Sequence, residues 1–243
     1  MQPEPQRPQI EYAAPFADVW CAFLAGDALE LADGTSDWAR GRAQYLTFLA
    51  RIEDAAARDY ASRVIERLAD IPGLQAFPDW YWHITIKGAG FQVIKRVHDD
   101  DVLREHVSRL AAQAKTLLGR EKAFELQLGP ANSFPEVIIL EAHDNGAVRA
   151  LNELLLGGID GMARYPIDGA RFLPHVSIAR FTSNDGLDQL KETLAELRGE
   201  PPGPRFQVRR IELVKAWLSE DVPELDTLAT YTLAPGRSVG AAP

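Results

Sequence analysis

Between positions 44 and 53 the apolar residues Leu46, Phe48, Ala50 and Ile52 alternate with more polar neighbours. That is the period of a half-buried strand. The period then lengthens: Tyr60, Val64, Ile65 and Leu68 share one face of a helix that Asp54 can cap and Pro72-Gly73 stops. A strand is predicted over 81–86, a helix over 101–118 closed by Gly119, and strands over 123–128 and 136–141. The pattern then repeats. Asp144 or Asn145 opens a helix to about 156, a strand covers 174–181, and a helix capped by Ser183 or Asn184 runs to 197. Strands over 207–218 and 228–233 follow, separated by a turn at 221–224.

This order predicts an α+β fold of two similar halves, each with a few strands and two helices. One bilobal domain is expected over 42–234. Ahead of it, 1–41 reads as a tail followed by a short helix or two, with Trp20, Phe23, Leu24, Leu29, Leu31 and Trp38 as its apolar residues. Positions 235–243 read as a disordered tail.

Composition narrows the setting. With 46% apolar and 25% charged residues, the 243-residue chain can bury a proper core. No stretch approaches the ~20 apolar residues of a membrane span, and the proline-rich start lacks a signal peptide's basic and apolar segments. A single cysteine, Cys21, leaves no internal disulfide and no cysteine-based zinc site. The expected location is the cytoplasm. The net charge of −9, with no long basic run, argues against a grip on long duplex nucleic acid. A small or terminal phosphate is the expected substrate, and a monomer the expected state.

The chemistry sits in two segments, Trp82-His83-Ile84-Thr85-Ile86 and Pro174-His175-Val176-Ser177-Ile178. On a strand, side chains alternate between faces, so His83 and Thr85 share one face while Ile84 and Ile86 take the other. His175 and Ser177 stand likewise against Val176 and Ile178. If the two halves pack about a pseudo-twofold axis, two imidazoles and two hydroxyls meet in one cleft. One neutral imidazole can take a proton from a nucleophile while a protonated one gives a proton to the leaving alkoxide. The hydroxyls can donate to phosphate oxygens. One His-x-Thr on a strand is unremarkable. Two, each with its hydroxyl and each in a matching half, are not explained by a pair of core histidines.

With these motifs the chain resembles the 2H phosphoesterase superfamily, the 2′,5′ RNA ligase-like and cyclic phosphodiesterase family, over roughly 45–233. The run His83-Ile84-Thr85-Ile86-Lys87-Gly88, the segment Ser133-Phe134-Pro135-Glu136-Val137, Arg171, Arg180 and the closing strands fit that resemblance. It implies a bilobal α+β fold, two pseudo-symmetric lobes with antiparallel sheets flanking a central cleft, and metal-free hydrolysis, or reversible ligation, of 2′,3′-cyclic or 2′,5′-linked phosphates, with no cofactor. Ser177 stands where threonine is commoner, and the first forty residues have no counterpart in the minimal pattern.

Expected catalytic residues are therefore His83, Thr85, His175 and Ser177. Lys87, Arg171 and Arg180 are candidates to hold phosphate, and Tyr81 and Phe134 to meet a base. For the three cations the plain reading is solvated strand-edge charge; for the aromatics it is packing. His98, His106 and His143 read as surface residues, and Asp99-Asp100-Asp101 as the acidic start of a helix. The expected activity is hydrolysis of 2′,3′-cyclic phosphate, with a small nucleotide or an RNA-terminal phosphate as substrate. The alternatives are 2′,5′-phosphodiester hydrolysis or RNA ligation, degradation of cyclic oligonucleotides, and a catalytically silent nucleotide-binding module.

Overall fold

The structure is a computed structural model and describes residues 13–27, 29, 31, 37–218 and 222–236. The tail expected before residue 13 and most of that expected after 234 lie outside the described residues, as do parts of the predicted turn at 221–224. The helices among the described residues are α1 (Ala13–Ala25), α2 (Ala55–Leu68), α3 (Val107–Leu118), α4 (Ala147–Gly158) and α5 (Leu187–Arg198). The strands are β1 (Gln44–Arg51), β2 (Leu74–Ala76), β3 (His83–Val93), β4 (Asp101–Leu103) and β5 (Phe124–Ser133). They continue with β6 (Val137–His143), β7 (His175–Phe181), β8 (Arg205–Val208), β9 (Arg210–Trp217) and β10 (Glu224–Thr232). None of the helices is long and apolar enough to cross a membrane.

Local chemistry sets the helix starts. The Asp54 side chain accepts from the Ala57 amide at 3.0 Å, and Ala57, Ala61, Val64 and Leu68 bury one face of α2. Asp144 accepts from the amides of Gly146 at 2.9 Å and Val148 at 2.5 Å, where Asn145 and Gly146 turn with positive φ. α5 departs from expectation: it begins after Gly186, with φ +77°, and not at Ser183 or Asn184. Asn184 caps a different segment, accepting from the Leu29 amide.

The strands form one sheet in the order β10-β9-β1-β3-β7-β6-β5-β8, with β2 beside β7 and β4 beside β3. Its two halves meet where β3 and β7 pair at Ile84 and Val176. The fold is α+β, as predicted, but its halves interleave. The half holding β1 and β3 is completed by β9 and β10 from the end of the chain, and β5 to β8 build the other. The helices cross over as well: α3 and α4 pack against β10 and β3, whereas α2 and α5 pack against β7 and β5. One core of buried Leu, Ile, Val, Phe and Ala runs through both halves, including Phe48, Ile84, Ile86, Val176, Ile178 and Phe181.

Both motif strands carry the same irregularity. Along β1, Phe48 faces Lys87 and Leu49 faces Thr85, so Ile86 is an extra residue in β3. Along β6, Ile138 faces Ala179 and Ile139 faces Ser177, so Ile178 is an extra residue in β7. Such a bulge turns the following side chains to the opposite face from the one simple alternation assigns. Each extra carbonyl finds a donor from outside its pair: the Asn152 side chain bonds the oxygen of Ile86 at 2.9 Å, and the Phe77 amide that of Ile178 at 2.8 Å.

α1 lies on the second half beside β5. Phe16 is fully buried against Ile139 and meets the His143 ring edge-on, and its carbonyl accepts from Asn132 at 3.0 Å.

Candidate active site

A short 3-10 turn precedes each motif strand, Asp79–Tyr81 before β3 and Gly169–Arg171 before β7. Each imidazole is fixed by the carbonyl of the residue two positions earlier. His83 Nδ1 lies 2.5 Å from the carbonyl of Tyr81, and His175 Nδ1 lies 2.8 Å from the carbonyl of Leu173. A carbonyl oxygen can only accept, so Nδ1 carries the proton in both rings and Nε2 is left as the working atom.

The pairing of Ile84 with Val176 fixes what stands opposite what. These two are buried, and stepping one residue either way along antiparallel strands sets His83 across from Ser177 and Thr85 across from His175. All four side chains are half-buried, between neighbours that are buried on the core face. The Thr85 and Ser177 hydroxyls have no hydrogen-bond partner among the described residues. The two rings are close enough that a charge on His175 is felt at His83, helping to lower its pKa. Burial is the main cause: it pushes His83 down to about 4 and His175 below the ordinary histidine range, although both carbonyl bonds oppose it.

An aromatic ring stands edge-on to each imidazole. Tyr81 meets His83 at 5.1 Å between ring centres, and Phe134 meets His175 at 4.9 Å. Burial raises the Tyr81 hydroxyl to about 12, with Arg180 pulling the other way, so the phenol stays neutral. Arg180 sits across from Val137 on β6 and Gln75 on β2, and its Nε donates to the Gln75 side chain at 2.8 Å. The extra residue at Ile178 turns Arg180 toward the face that carries His175 and Ser177. Arg171 is exposed in the turn ahead of His175, without a hydrogen bond or ion pair among the described residues.

Lys87 is a correction. The extra residue at Ile86 turns it away from His83 and Thr85 to lie with Phe48 on the core face, fully buried. Its Nζ donates to Asp168 at 2.8 Å, Ala163 O at 2.7 Å and Gly88 O at 2.8 Å, which uses all three protons inside the fold. It is a structural cation and not a phosphate ligand. His143 is corrected too: it is half-buried between Phe16 and Glu141 and not a free surface residue.

Two residues at the site escaped the sequence reading. Arg51 is the strand partner of His83, and Glu141 is the strand partner of His175. Arg51 donates from Nε to Glu212 at 2.9 Å and from Nη1 to the carbonyl of Trp80 at 3.1 Å. Glu141 is buried and accepts from Arg198 at 2.7 Å, Asn132 at 2.8 Å and His143 at 3.1 Å. Burial alone would raise its pKa; these donors outweigh burial and hold it below the usual range. Alternation along β1 puts Arg51 opposite to Ala50 and Ile52, but only the register shows which histidine it faces. Among the described residues, no group of three or more His, Cys, Asp or Glu side chains is placed to hold a metal ion.

Two histidine strands set side by side at the seam of an α+β sheet are the arrangement expected of the two-histidine phosphoesterases. The chain belongs to the 2′-5′ RNA ligase superfamily, whose family model matches residues 53–216. Solved structures share the fold. TT0787 of Thermus thermophilus is 19% identical, with a TM-score of 0.57 over 79% of this chain and 100% of that one. LigT of E. coli, crystallised with 3′-AMP, is 17% identical, with a TM-score of 0.56 over 79% of this chain and 99% of its own. A conserved protein of unknown function from Agrobacterium tumefaciens, ATU0111, is 16% identical, with a TM-score of 0.58 over 88% and 97%. No curated protein matches the chain. α1 and all of β1 precede the family match.

Proposed function

We propose that the protein is a metal-independent phosphodiesterase that opens 2′,3′-cyclic phosphate at RNA ends or on small nucleotides. The observation that supports this best is the pair of imidazoles pinned through Nδ1 on adjacent strands, set on one face with two hydroxyls that have no partner among the described residues. In this reading one Nε2 takes a proton from water as its oxygen bonds to phosphorus. The bond to one ribose oxygen breaks, and the other imidazole, protonated, supplies that oxygen's proton. Thr85 and Ser177 donate to the non-bridging oxygens, whose charge grows in the transition state. Burial keeps both rings neutral in the resting site, and the substrate's own negative charge counters burial by favouring an imidazolium. Arg180, Tyr81 and Phe134 border the gap and are proposed to meet the ribose and base, with the exposed Arg171 at the outer edge. E. coli LigT has been crystallised with phosphate and with 3′-AMP, and a nucleotide of that size is the ligand class proposed for this chain.

His83→Ala and His175→Ala are each expected to lower kcat on a 2′,3′-cyclic mononucleotide by a hundredfold or more, in line with the ~10²–10⁴ carried by general acid–base groups. EDTA is expected to leave the wild type unaffected. Turnover that the chelator abolishes, or that survives loss of either ring, would rule the reading out. A 2′,5′-linked dinucleotide in the same assay separates the substrate classes by product.

A further inference from the structure

The two half-sites match in their main parts. Each has a histidine pinned to the carbonyl two residues earlier, a hydroxyl two residues later, and an extra residue after that. They differ at one equivalent pair of positions. Across from Thr85 and Ser177 stand the apolar Leu49 and Ile139, but across from His83 stands Arg51 and across from His175 stands Glu141. Directly opposed residues on antiparallel strands lie about 4.5–5.5 Å apart and present side chains to the same face. The charges of these two residues are spent differently. Glu141 is closed off by Arg198, Asn132 and His143 on the side covered by α1. Arg51 stays beside His83, held by Glu212 and by the carbonyl of Trp80, in the same turn whose Tyr81 carbonyl pins the His83 ring.

We infer that Arg51 is a positioning residue that assigns the proton roles: a fixed cation across the strands from His83, where His175 has Glu141, makes His83 the base and His175 the acid. The inference rests on the proposed function and deepens it. His83 Nε2 takes the proton of the attacking water as the new P–O bond forms. His175 Nε2 gives its proton to the ribose oxygen as that P–O bond breaks. After product leaves, His83 returns a proton to solvent and His175 takes one up. Arg51 acts against protonation of His83 along with burial and His175, whereas His175 is shifted by burial and its carbonyl bond without a cation's contribution. The other ionisable neighbours do not reverse this. Tyr81 stays neutral, Arg180 from β7 adds positive charge on the Tyr81 side, and Glu212 from β9 lies behind Arg51 and tempers it. On the other side, Glu141 is compensated and Arg171 is exposed.

The test is an NMR titration of both imidazoles in the full chain, assigned with His83→Asn and His175→Asn. It is paired with the pH profile of kcat/KM on a 2′,3′-cyclic mononucleotide. In Arg51→Gln the His83 pKa is expected to rise by about one unit, the low end for a neighbouring charge since Glu212 tempers it. The limb of the profile that marks loss of the base should move up with it, while His175 and the other limb stay. Arg51→Lys should restore the wild-type profile. Glu212→Gln, which leaves Arg51 uncompensated, should shift His83 the opposite way and serves if Arg51→Gln does not fold. If the His83 pKa moves in neither variant, Arg51 does not act through that ring. If it moves and the limb marking loss of the acid follows, the roles are reversed. Wild-type turnover in His83→Ala would instead overturn the proposed function itself, whatever the titration shows.

Discussion

Lys87 shows how one residue's surroundings decide its work. It follows the first motif by two positions, yet its ammonium is buried against Asp168, which also accepts from Asn152 Nδ2 at 2.9 Å and from the Tyr165 amide at 2.7 Å. The knot ties β3 to α4 and to the segment leading into β7. Removing one partner of such a pair strands the other charge without solvent. Asp168→Ala is expected to cost about 3–5 kcal/mol in urea unfolding, whereas a joint replacement of both by apolar residues should cost much less. The histidines give a pH signature. The pKa of His83 in the folded chain lies at about 4, below the ~6.5 of an unfolded histidine, so the unfolded chain binds the proton more readily. Stability from this source is complete above about pH 6.5 and is lost as pH falls through about 4. His83→Asn is expected to flatten that part of the Tm–pH curve. The alternation His-x-Thr and His-x-Ser was legible in the sequence because a period of two needs no partner strand. The fate of Lys87 was not, because an extra residue is defined only against the strand that lacks it.

Among the elements, those with strong local signals are where the pattern put them. α2 has its Asp54 cap and its apolar face, and β1 and β7 keep nearly their predicted bounds. The departures have tertiary causes. The helix predicted from 101 begins at Val107, because the Asp101 carboxylate accepts from the Val97 and His98 amides and from Arg42. Those bonds extend 101–103 as β4 alongside Phe91 and its neighbours. The strand predicted over 207–218 is two, since the chain leaves β5 at Val208 and joins β1 and β10 after Arg209. α1 falls in the stretch expected to hold a short helix or two, but the sequence did not show what it covers. Its docking depends on Phe16, and Phe16→Ala is expected to lower amide-exchange protection across 13–25 at least tenfold while the amides of β3 and β7 keep theirs. Equal loss in α1 and in the motif strands would mean that the helix is integral to the central sheet.

The whole molecule is built from both ends of the chain. The repeat of strand, helix and motif strand was visible in the hydrophobic pattern, but strand order was not, because pairing between distant segments leaves no local mark. The sheet half of β3 needs β9 and β10 at its edge and α3 and α4 beneath it; the half of β7 needs α2. Fragments 37–122 and 123–236 are therefore each expected to lack stable tertiary structure when made alone, with the dispersed amide spectrum appearing only when they are mixed. A folded 37–122 by itself would show the halves to be independent units.

The surplus isoleucine at 86, and its twin at 178, work as a one-notch ratchet in the sheet. Inserting one residue between Ile138 and Ile139 would give Ile178 a partner and restore plain alternation: the Arg180 guanidinium would swing to the core face beside Val176, and Ala179 would be left facing the gap between the histidines. A single-codon gain there would trade a cation for a methyl group without altering His-x-Thr or His-x-Ser.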